Sequence, residues 1–160
     1  MRKENLVENI RLATEHDFES VSELEIFMTK QNSEGCPDIF KFTKNPIPKE
    51  LYLKEVSDGN MYVFEINKCI IGFYWARIIE IEDERIKFQK IYFIYSIVFR
   101  HDFIGKGYGK KLFKFIEHEA KSKDCKTIEL NVWKYNKNAK EFYKNVGMEE
   151  KYIVMKKNVE

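Results

Sequence analysis

The chain has 160 residues, with 28 lysines and arginines against 26 aspartates and glutamates, giving a formal net charge of +2. This balance argues against a nucleic-acid-binding protein, and 44% hydrophobic residues are typical of a folded chain. The length predicts a single domain over residues 1–160. No apolar run is long enough for a transmembrane helix, and the first residues lack the apolar core of a signal peptide. We therefore expect a cytoplasmic protein that has no membrane partner.

The cysteines give no sign of a disulfide framework or of a metal site. Cys36, Cys69 and Cys125 are widely spaced and form neither a CxxC pair nor a Cys/His cluster. Structural zinc sites need such clusters, and small disulfide-bonded domains need more cysteines at closer spacing. We expect no metal.

The first part of the chain predicts one short strand and two helices. NIRLAT (9–14) is typical of a strand, and apolar residues at helical spacing predict a helix over 15–31. All three prolines lie between 36 and 49, which marks a long loop. Pro48 suits the first turn of a second helix, and Gly59 is placed to end it.

Three long strands are predicted next, over 61–66, 69–82 and 86–99, connected by two short turns. The third is apolar at both odd and even positions, so we expect it at the centre of the sheet with both faces covered. Strict alternation would place Tyr95 on the same face as Ile97 and Phe99. A slip in the alternation between residues 88 and 91 predicts a bulge there.

The last part alternates helices and strands. We predict a helix over 105–123, a strand over 127–133, a helix over 136–146 and a closing strand over 150–156. Gly147 is well placed at the end of the second of these helices. The order βααβββαβαβ predicts an α/β (α+β) fold with a mixed sheet and helices on both faces.

A glycine-rich turn, Ile104-Gly105-Lys106-Gly107-Tyr108-Gly109, connects the predicted central strand to a helix. Glycines let consecutive backbone N–H groups converge, and the helix N-terminus adds partial positive charge, so the turn suits a phosphate. The surrounding stretch is basic: Arg100, Lys106, Lys110, Lys111 and Lys114 stand there against Asp102. A P-loop would need Ser or Thr at Lys111, and a dinucleotide fingerprint would need Gly at Lys110. Glycines selected only for tight packing remain an alternative.

A second group of residues lies further along, in the helix predicted over 136–146. Its members are Asn136, Ala139, Tyr143, Gly147 and Met148. Asn136 can cap the helix. Tyr143, taken alone, is interpreted as one more aromatic side chain on the buried stripe of that helix.

Together the two segments resemble the GNAT superfamily of N-acetyltransferases. That family shows an R/Q-x-x-G-x-G/A turn after its fourth strand and an N-x-x-A-x-x-x-Y-x-x-x-G-[FM] helix. The second pattern is complete here, and the first is present as Gly107 and Gly109, with Ile104 in place of Arg or Gln. The resemblance covers nearly the whole chain. It implies a mostly antiparallel central sheet that splits between the fourth and fifth strands.

The resemblance also implies that acetyl-CoA is the cosubstrate and lies in that split. Its pantetheine amides would pair with the free edge of the fourth strand, and its pyrophosphate would lie on the backbone of the glycine-rich turn. The residues expected to bind it are Ile97, Val98, Phe99, Ile104, Gly105, Lys106, Gly107, Tyr108, Gly109, Lys110, Asn131, Asn136, Ala139 and Tyr143.

The implied reaction is direct transfer of the acetyl group to a primary amine of a small molecule or peptide. Tyr143 matches the general acid that protonates the leaving thiolate. Many relatives carry a carboxylate on the fourth strand, where this chain has Tyr95 and Ser96. Glu80 and Glu82 lie near a predicted hairpin tip and are expected to be solvated, so no base is assigned.

The acceptor is expected to approach past the first helices, near Asp38, Phe40 and Tyr95. Relatives are often dimers, so the resemblance also allows a homodimer. One alternative is a non-catalytic acyl-CoA-binding sensor module on the same fold, which Ile104 and the missing strand carboxylate favour and Tyr143 disfavours. A nucleic-acid binder that uses the lysine cluster ranks last, because the net charge is close to zero.

Overall fold

The computed structural model describes residues 6–159. In this range the helices and strands are β1 (Glu8–Leu12), α1 (Phe18–Gly35), α2 (Lys49–Ser57), β2 (Met61–Ile66), β3 (Cys69–Asp83), β4 (Ile86–Phe99), α3 (Tyr108–Ser122), β5 (Thr127–Leu130) and α4 (Lys137–Asn145). Two short 3₁₀ turns, Glu15–Asp17 and His101–Phe103, precede α1 and α3. None of the helices in residues 6–159 combines the length and the apolar character needed to cross a bilayer.

The first helical segment begins at Glu15 as predicted, but as a 3₁₀ turn that becomes α1 at Phe18, and it ends at Gly35 instead of residue 31. The Asp17 carboxylate accepts hydrogen bonds from the Thr14 backbone N–H at 2.8 Å and from the Thr14 hydroxyl at 3.0 Å, and it pairs with Arg11 at 2.8 Å. These contacts fix the direction in which the chain leaves β1 and enters the helix. At the second helix, Pro48 is the N-cap, as its fixed φ favours.

The sheet has the order β1-β2-β3-β4-β5. The first four strands pair antiparallel, and β5 pairs parallel to β4. The mixed, mostly antiparallel sheet is therefore confirmed. The position expected for β4 needs a correction: β4 is an interior strand, but β3 is the middle one, because β5 is the only strand on the far side of β4 within residues 6–159.

Helices cover both faces of the sheet, as predicted. On one face, α1 and α2 pack Val21, Leu24 and Tyr52 against the strands. On the other face, α3 contributes Leu112, Phe113 and Ile116 to a second cluster, and α4 packs against the same cluster. The strands contribute the remaining side chains, among them Tyr62, Phe64, Tyr74, Tyr92 and Ile94. The two faces are called the α1 face and the α3 face below.

β4 is irregular at two places in its pairing with β3. One lies between Ile86 and Gln89, since Asp83 faces Ile86 and Ile81 faces Gln89, and it overlaps the start of the slip predicted between residues 88 and 91. The sequence pattern missed the other, where Trp75 faces Ser96 and Ala76 faces Ile94, which leaves Tyr95 without a partner. One extra residue reverses the alternation beyond it. Ile97 and Phe99 therefore contact the α3 face, while Tyr95 stacks on Trp75 on the α1 face.

The strand predicted over 150–156 is wrong. These residues have no regular secondary structure, and the apolar side chains from Tyr152 to Met155 are 69–86% exposed. The segment makes ion-pair contacts instead, such as Lys151 with Glu129 of β5 at 2.6 Å. An apolar run is stable as a strand when it pairs with an edge and buries one face, and this run does neither, although it lies beside β5.

Candidate active site

Within residues 6–159, the backbone of β4 has no strand partner on its β5 side over its last residues. The parallel pairing with β5 ends where Ile94 faces Leu130, whereas β4 continues to Phe99. The two strands therefore separate beyond this pair, as a sheet split between the fourth and fifth strands requires. An extended group with amide N–H and C=O groups can pair with such an edge like an added strand.

The glycine-rich turn at the end of this edge presents backbone donors that have no acceptor. Gly105 and Gly107 have φ angles of +79° and +88°, and a Cβ on either residue would meet nothing within 4 Å. The first backbone donor of the helix is the Lys111 N–H, which bonds to the Gly107 carbonyl at 3.3 Å. Among residues 6–159, no hydrogen-bond acceptor faces the N–H groups from Gly105 to Lys110. Such a run at a helix N-terminus can bind an anion.

Of the lysine side chains around the turn, one forms an ion pair with a carboxylate and two form none with a described residue. Lys111 pairs with Glu8 at 2.6 Å, so part of its charge is already compensated. Lys106 lies 5.5 Å above the Phe103 ring, and neither it nor Lys110 forms an ion pair with a described residue. Ile104 is 57% exposed and adds no polar contact. The hydrogen-bond donors at this turn are therefore chiefly backbone N–H groups.

α4 begins and ends as its sequence pattern predicts. The Asn136 side chain accepts a hydrogen bond from the Ala139 N–H at 3.1 Å. At the other end, Gly147 has a φ of +92°, and the Met148 N–H bonds to the Tyr143 carbonyl at 2.9 Å. These two caps fix the length of the helix and therefore the position of the side chains between them.

Replacing Asn136 with alanine should destabilise the protein by about 1 kcal/mol, because the Ala139 N–H loses its acceptor. Asn138→Ala is the matched control, since Asn138 is exposed and lies inside the same helix. Thermal or urea unfolding measures both variants. Equal stability of the two would show that this cap contributes nothing.

Tyr143 lies on the inner side of α4, next to the α3 face of the sheet. Its ring packs 5.4 Å from Phe142 and 6.5 Å from Phe113, measured between ring centroids. Its hydroxyl oxygen forms no hydrogen bond with a described residue, and this oxygen is not completely buried. Burial raises the pKa of Tyr143 to about 12. The group is therefore protonated at neutral pH and can donate a proton.

On the α1 face, a carboxylate reaches the bulge of β4 from the helix above it. Glu25 accepts a hydrogen bond from the Ser96 hydroxyl at 2.8 Å, and the two residues are only 7% and 5% exposed. Burial raises the pKa of Glu25, and the hydrogen bond from Ser96 offsets this only in part. The sequence analysis missed Glu25. A signal was present, since Glu25 interrupts the apolar stripe that contains Leu24 and Met28.

A second buried carboxylate organises the aromatic surface beside the bulge. Glu55 is fully buried and accepts hydrogen bonds from Trp75 at 2.9 Å, from Asn60 at 2.9 Å and from Arg77. Burial alone would raise the pKa of Glu55, but these donors lower it overall. Arg77 stacks on the rings of Trp75 and Tyr95, at 5.4 and 5.5 Å. Tyr95, 44% exposed, is thus held on a rigid support.

The other residues expected near the acceptor already have partners within the protein. Phe40 packs edge-on against Trp133 at 4.9 Å between centroids. Asp38 pairs with Lys156 at 2.5 Å, and both side chains are more than half exposed. Hydrogen bonding from Lys156 lowers the pKa of Asp38. Asp38 could therefore bind a cationic group only by exchanging this partner.

The connection between β5 and α4 packs against the end of α1. The ring of Tyr135 lies directly over Gly35, where any Cβ would be 2.2 Å from the ring. The Tyr135 hydroxyl donates to the side chain of Asn32. Asn131, which follows β5, is exposed. This connection and the end of α1 thus form one wall beside the split.

Comparisons with known proteins agree with this arrangement. The model of the acetyltransferase (GNAT) family matches residues 12–148. The chain belongs to the GNAT family. The family also explains the split sheet and the order of strands and helices described above.

Among curated relatives, the uncharacterized N-acetyltransferase YycN of Bacillus subtilis is 28% identical over 106 residues, which are 66% of this chain and 65% of YycN. The uncharacterized N-acetyltransferase MJ1207 of Methanocaldococcus jannaschii is 34% identical over 64% of this chain and 44% of its own. The chain therefore matches less than two thirds of the length of these relatives.

Solved structures of other proteins show the same fold. A mutant of the BH1408 protein from Bacillus halodurans has a TM-score of 0.91 and 22% identity, and the match covers 94% of this chain and 99% of that one. Aminoglycoside N-acetyltransferase AAC(6')-Iy, in complex with CoA, has a TM-score of 0.68 and 16% identity, with 99% of each chain covered.

Proposed function

We propose that the protein is an acetyl-CoA-dependent N-acetyltransferase that transfers an acetyl group directly to a primary amine of a small molecule or peptide in the cytoplasm. One observation carries the proposal: the unpaired edge of β4 leads straight into a run of backbone N–H groups that have no acceptor. The two features follow one another along the chain. CoA fits the strand edge and the turn together. One end of it is an extended chain with amide groups, and the other end carries phosphates.

The described residues fit acetyl-CoA along this path. The pantetheine amides would pair with the backbone of Ile97, Val98 and Phe99, and the pyrophosphate would accept hydrogen bonds from the N–H groups of Gly105 to Lys110. Lys106 and Lys110 have no ion-pair partner among the described residues and are suited to the phosphates. Asn131, Asn136 and Ala139 lie at the end of β5 and the start of α4, on the other side of the split.

In the proposed reaction the amine nitrogen attacks the thioester carbonyl carbon. A C–N bond forms, the C–S bond breaks, and the sulfur receives a proton from the Tyr143 hydroxyl. Tyr143 suits this role because its hydroxyl is protonated at neutral pH and has no partner among the described residues. The nitrogen loses one proton to solvent as the amide forms, and the tyrosinate regains one from solvent, so the products are a neutral amide and a free thiol.

The acceptor would bind on the α1 face, near Tyr95, Phe40 and Asp38. Aminoglycoside and glucosamine 6-phosphate appear in the names of two acetyltransferases of similar fold, and both compounds are amines. This supports an amine acceptor here. The supported aromatic ring of Tyr95 can contact the apolar part of such a molecule.

Calorimetric titration with acetyl-CoA tests the cosubstrate. Saturable binding in the micromolar range is expected, and absence of binding would contradict the proposal. Thiol release from acetyl-CoA in the presence of spermidine, kanamycin, glucosamine 6-phosphate and a glycyl peptide then tests transfer. Binding without release in any of these mixtures would favour an acyl-CoA sensor instead.

A further inference from the structure

Glu25 is a buried carboxylate that has no cationic partner among the described residues. Its one hydrogen bond from a described residue comes from the hydroxyl of Ser96, at 2.8 Å, and the carboxylate is otherwise surrounded by the protein interior. This differs from Glu55, whose charge is balanced by Arg77. A buried and uncompensated carboxylate costs free energy, so a structural explanation of Glu25 is weak.

The charged and titratable groups on the elements packed against α1 are engaged elsewhere. On β3, Arg77 pairs with Glu55, and on β4, Tyr95 stacks on Trp75. Before α1, Asp17 pairs with Arg11, and after β4, the ring of His101 packs against Phe27. None of these groups forms an ion pair with Glu25.

The position of Glu25 connects it to the proposed reaction. Ser96 follows the bulged Tyr95, on the part of β4 that has lost its β5 partner. Ser96 and Tyr95 face α1, whereas Tyr143 lies on the α3 face. A thioester placed in the split would thus have the hydroxyl of Ser96 on one side and that of Tyr143 on the other.

We propose that Glu25 takes the proton that the acceptor amine loses, relayed through the hydroxyl of Ser96. This inference rests on the proposed acetyl transfer. Ser96 touches the amine, and Glu25 acts through Ser96 as a positioning and proton-storing residue. The helix thereby supplies the carboxylate that the strand lacks.

The proton movement balances. As the C–N bond forms, the nitrogen gives a proton to the oxygen of Ser96, and Ser96 passes its own proton to the carboxylate of Glu25. On the other side, Tyr143 gives its proton to the sulfur as the C–S bond breaks. Glu25 then releases a proton to water, and Tyr143 regains one.

A first experiment needs no acceptor and compares thermal unfolding of the wild type with Glu25→Gln between pH 4 and pH 8. Because burial raises the pKa of Glu25 in the folded state, that state binds more protons than the unfolded chain at intermediate pH, so stability falls as pH rises. Glutamine keeps the acceptor for Ser96 and removes the charge. The variant should therefore be more stable than the wild type at pH 8, with the difference closing towards pH 4. A variant that is no more stable at pH 8 would overturn the proposal.

A second experiment measures thiol release with the amines named above, using Glu25→Gln and the control Glu23→Gln, whose side chain is exposed on the same helix. Glu25→Gln should lose about 100-fold in kcat, keep its affinity for acetyl-CoA, and lose the fall in rate at acid pH. Ser96→Ala should behave similarly. Wild-type kcat and an unchanged pH profile in Glu25→Gln would overturn the relay alone. Failure of the wild type to bind acetyl-CoA would overturn the proposed function and the relay with it.

Discussion

Replacing Gly107 with valine should abolish measurable binding of acetyl-CoA. Gly107 has a φ of +88°, which β-branched residues rarely adopt, and its missing Cβ leaves the space beside the unpaired N–H groups free. Valine would both distort the turn and fill that space. Loss of two charge-assisted hydrogen bonds would weaken binding by more than about 100-fold. Calorimetric titration measures the effect.

Gly59→Val is the matched control for the backbone strain. Gly59 also has a positive φ, +71°, but it follows α2 at a distance from the turn along the chain. This variant should lose stability and keep its affinity for acetyl-CoA. If Gly107→Val also keeps its affinity, the pyrophosphate does not lie on this turn.

Replacing Tyr143 with phenylalanine should reduce turnover by about 100-fold while acetyl-CoA binds as before. The ring remains packed between Phe142 and Phe113, so only the hydroxyl is lost. Since that hydroxyl bonds to no described residue, its removal leaves no partner unsatisfied. The separate measurements are kcat from thiol release and affinity from calorimetry.

Tyr74→Phe controls for the loss of a buried tyrosine hydroxyl from the same face of the sheet. The Tyr74 hydroxyl bonds to that of Tyr92 at 3.2 Å and is fully enclosed. This variant should lose stability but keep kcat. Unchanged turnover in Tyr143→Phe would remove the residue from the mechanism.

The elements whose boundaries depend on local signals could be predicted from the sequence. The turn between β2 and β3, the limits of β4 and the caps of α4 follow from nearby residues such as Asn136 and Gly147. The glycine-rich turn could also be located, because its conformation needs glycine whatever surrounds it.

Features set by tertiary contacts could not be predicted in this way. The bulge at Tyr95 depends on register with β3, so alternation along β4 alone assigned Ile97 and Phe99 to the wrong face. The segment 150–156 has the composition of a strand, but strand formation depends on a partner edge. Glu25 is only a polar break in an apolar stripe of the sequence, because the hydrogen bond that it accepts from Ser96 joins residues 71 positions apart.

The contact between Tyr135 and Gly35 has a consequence for how the two sides of the site respond to each other. The ring occupies the place of a side chain, and its hydroxyl is tied to Asn32 one turn earlier on α1. The next residue, Asn136, caps the helix that holds Tyr143. Tyr135 therefore links the end of α1 directly to the start of α4.

In the proposed reaction, an acceptor too bulky for the α1 face would push this wall outward and shift Tyr143, the proposed general acid, with it. Size discrimination would then show in the rate of transfer and not only in affinity: oversized amines would bind and react slowly. In this view Gly35 sets the mechanical coupling between recognition of the acceptor and protonation of the leaving group.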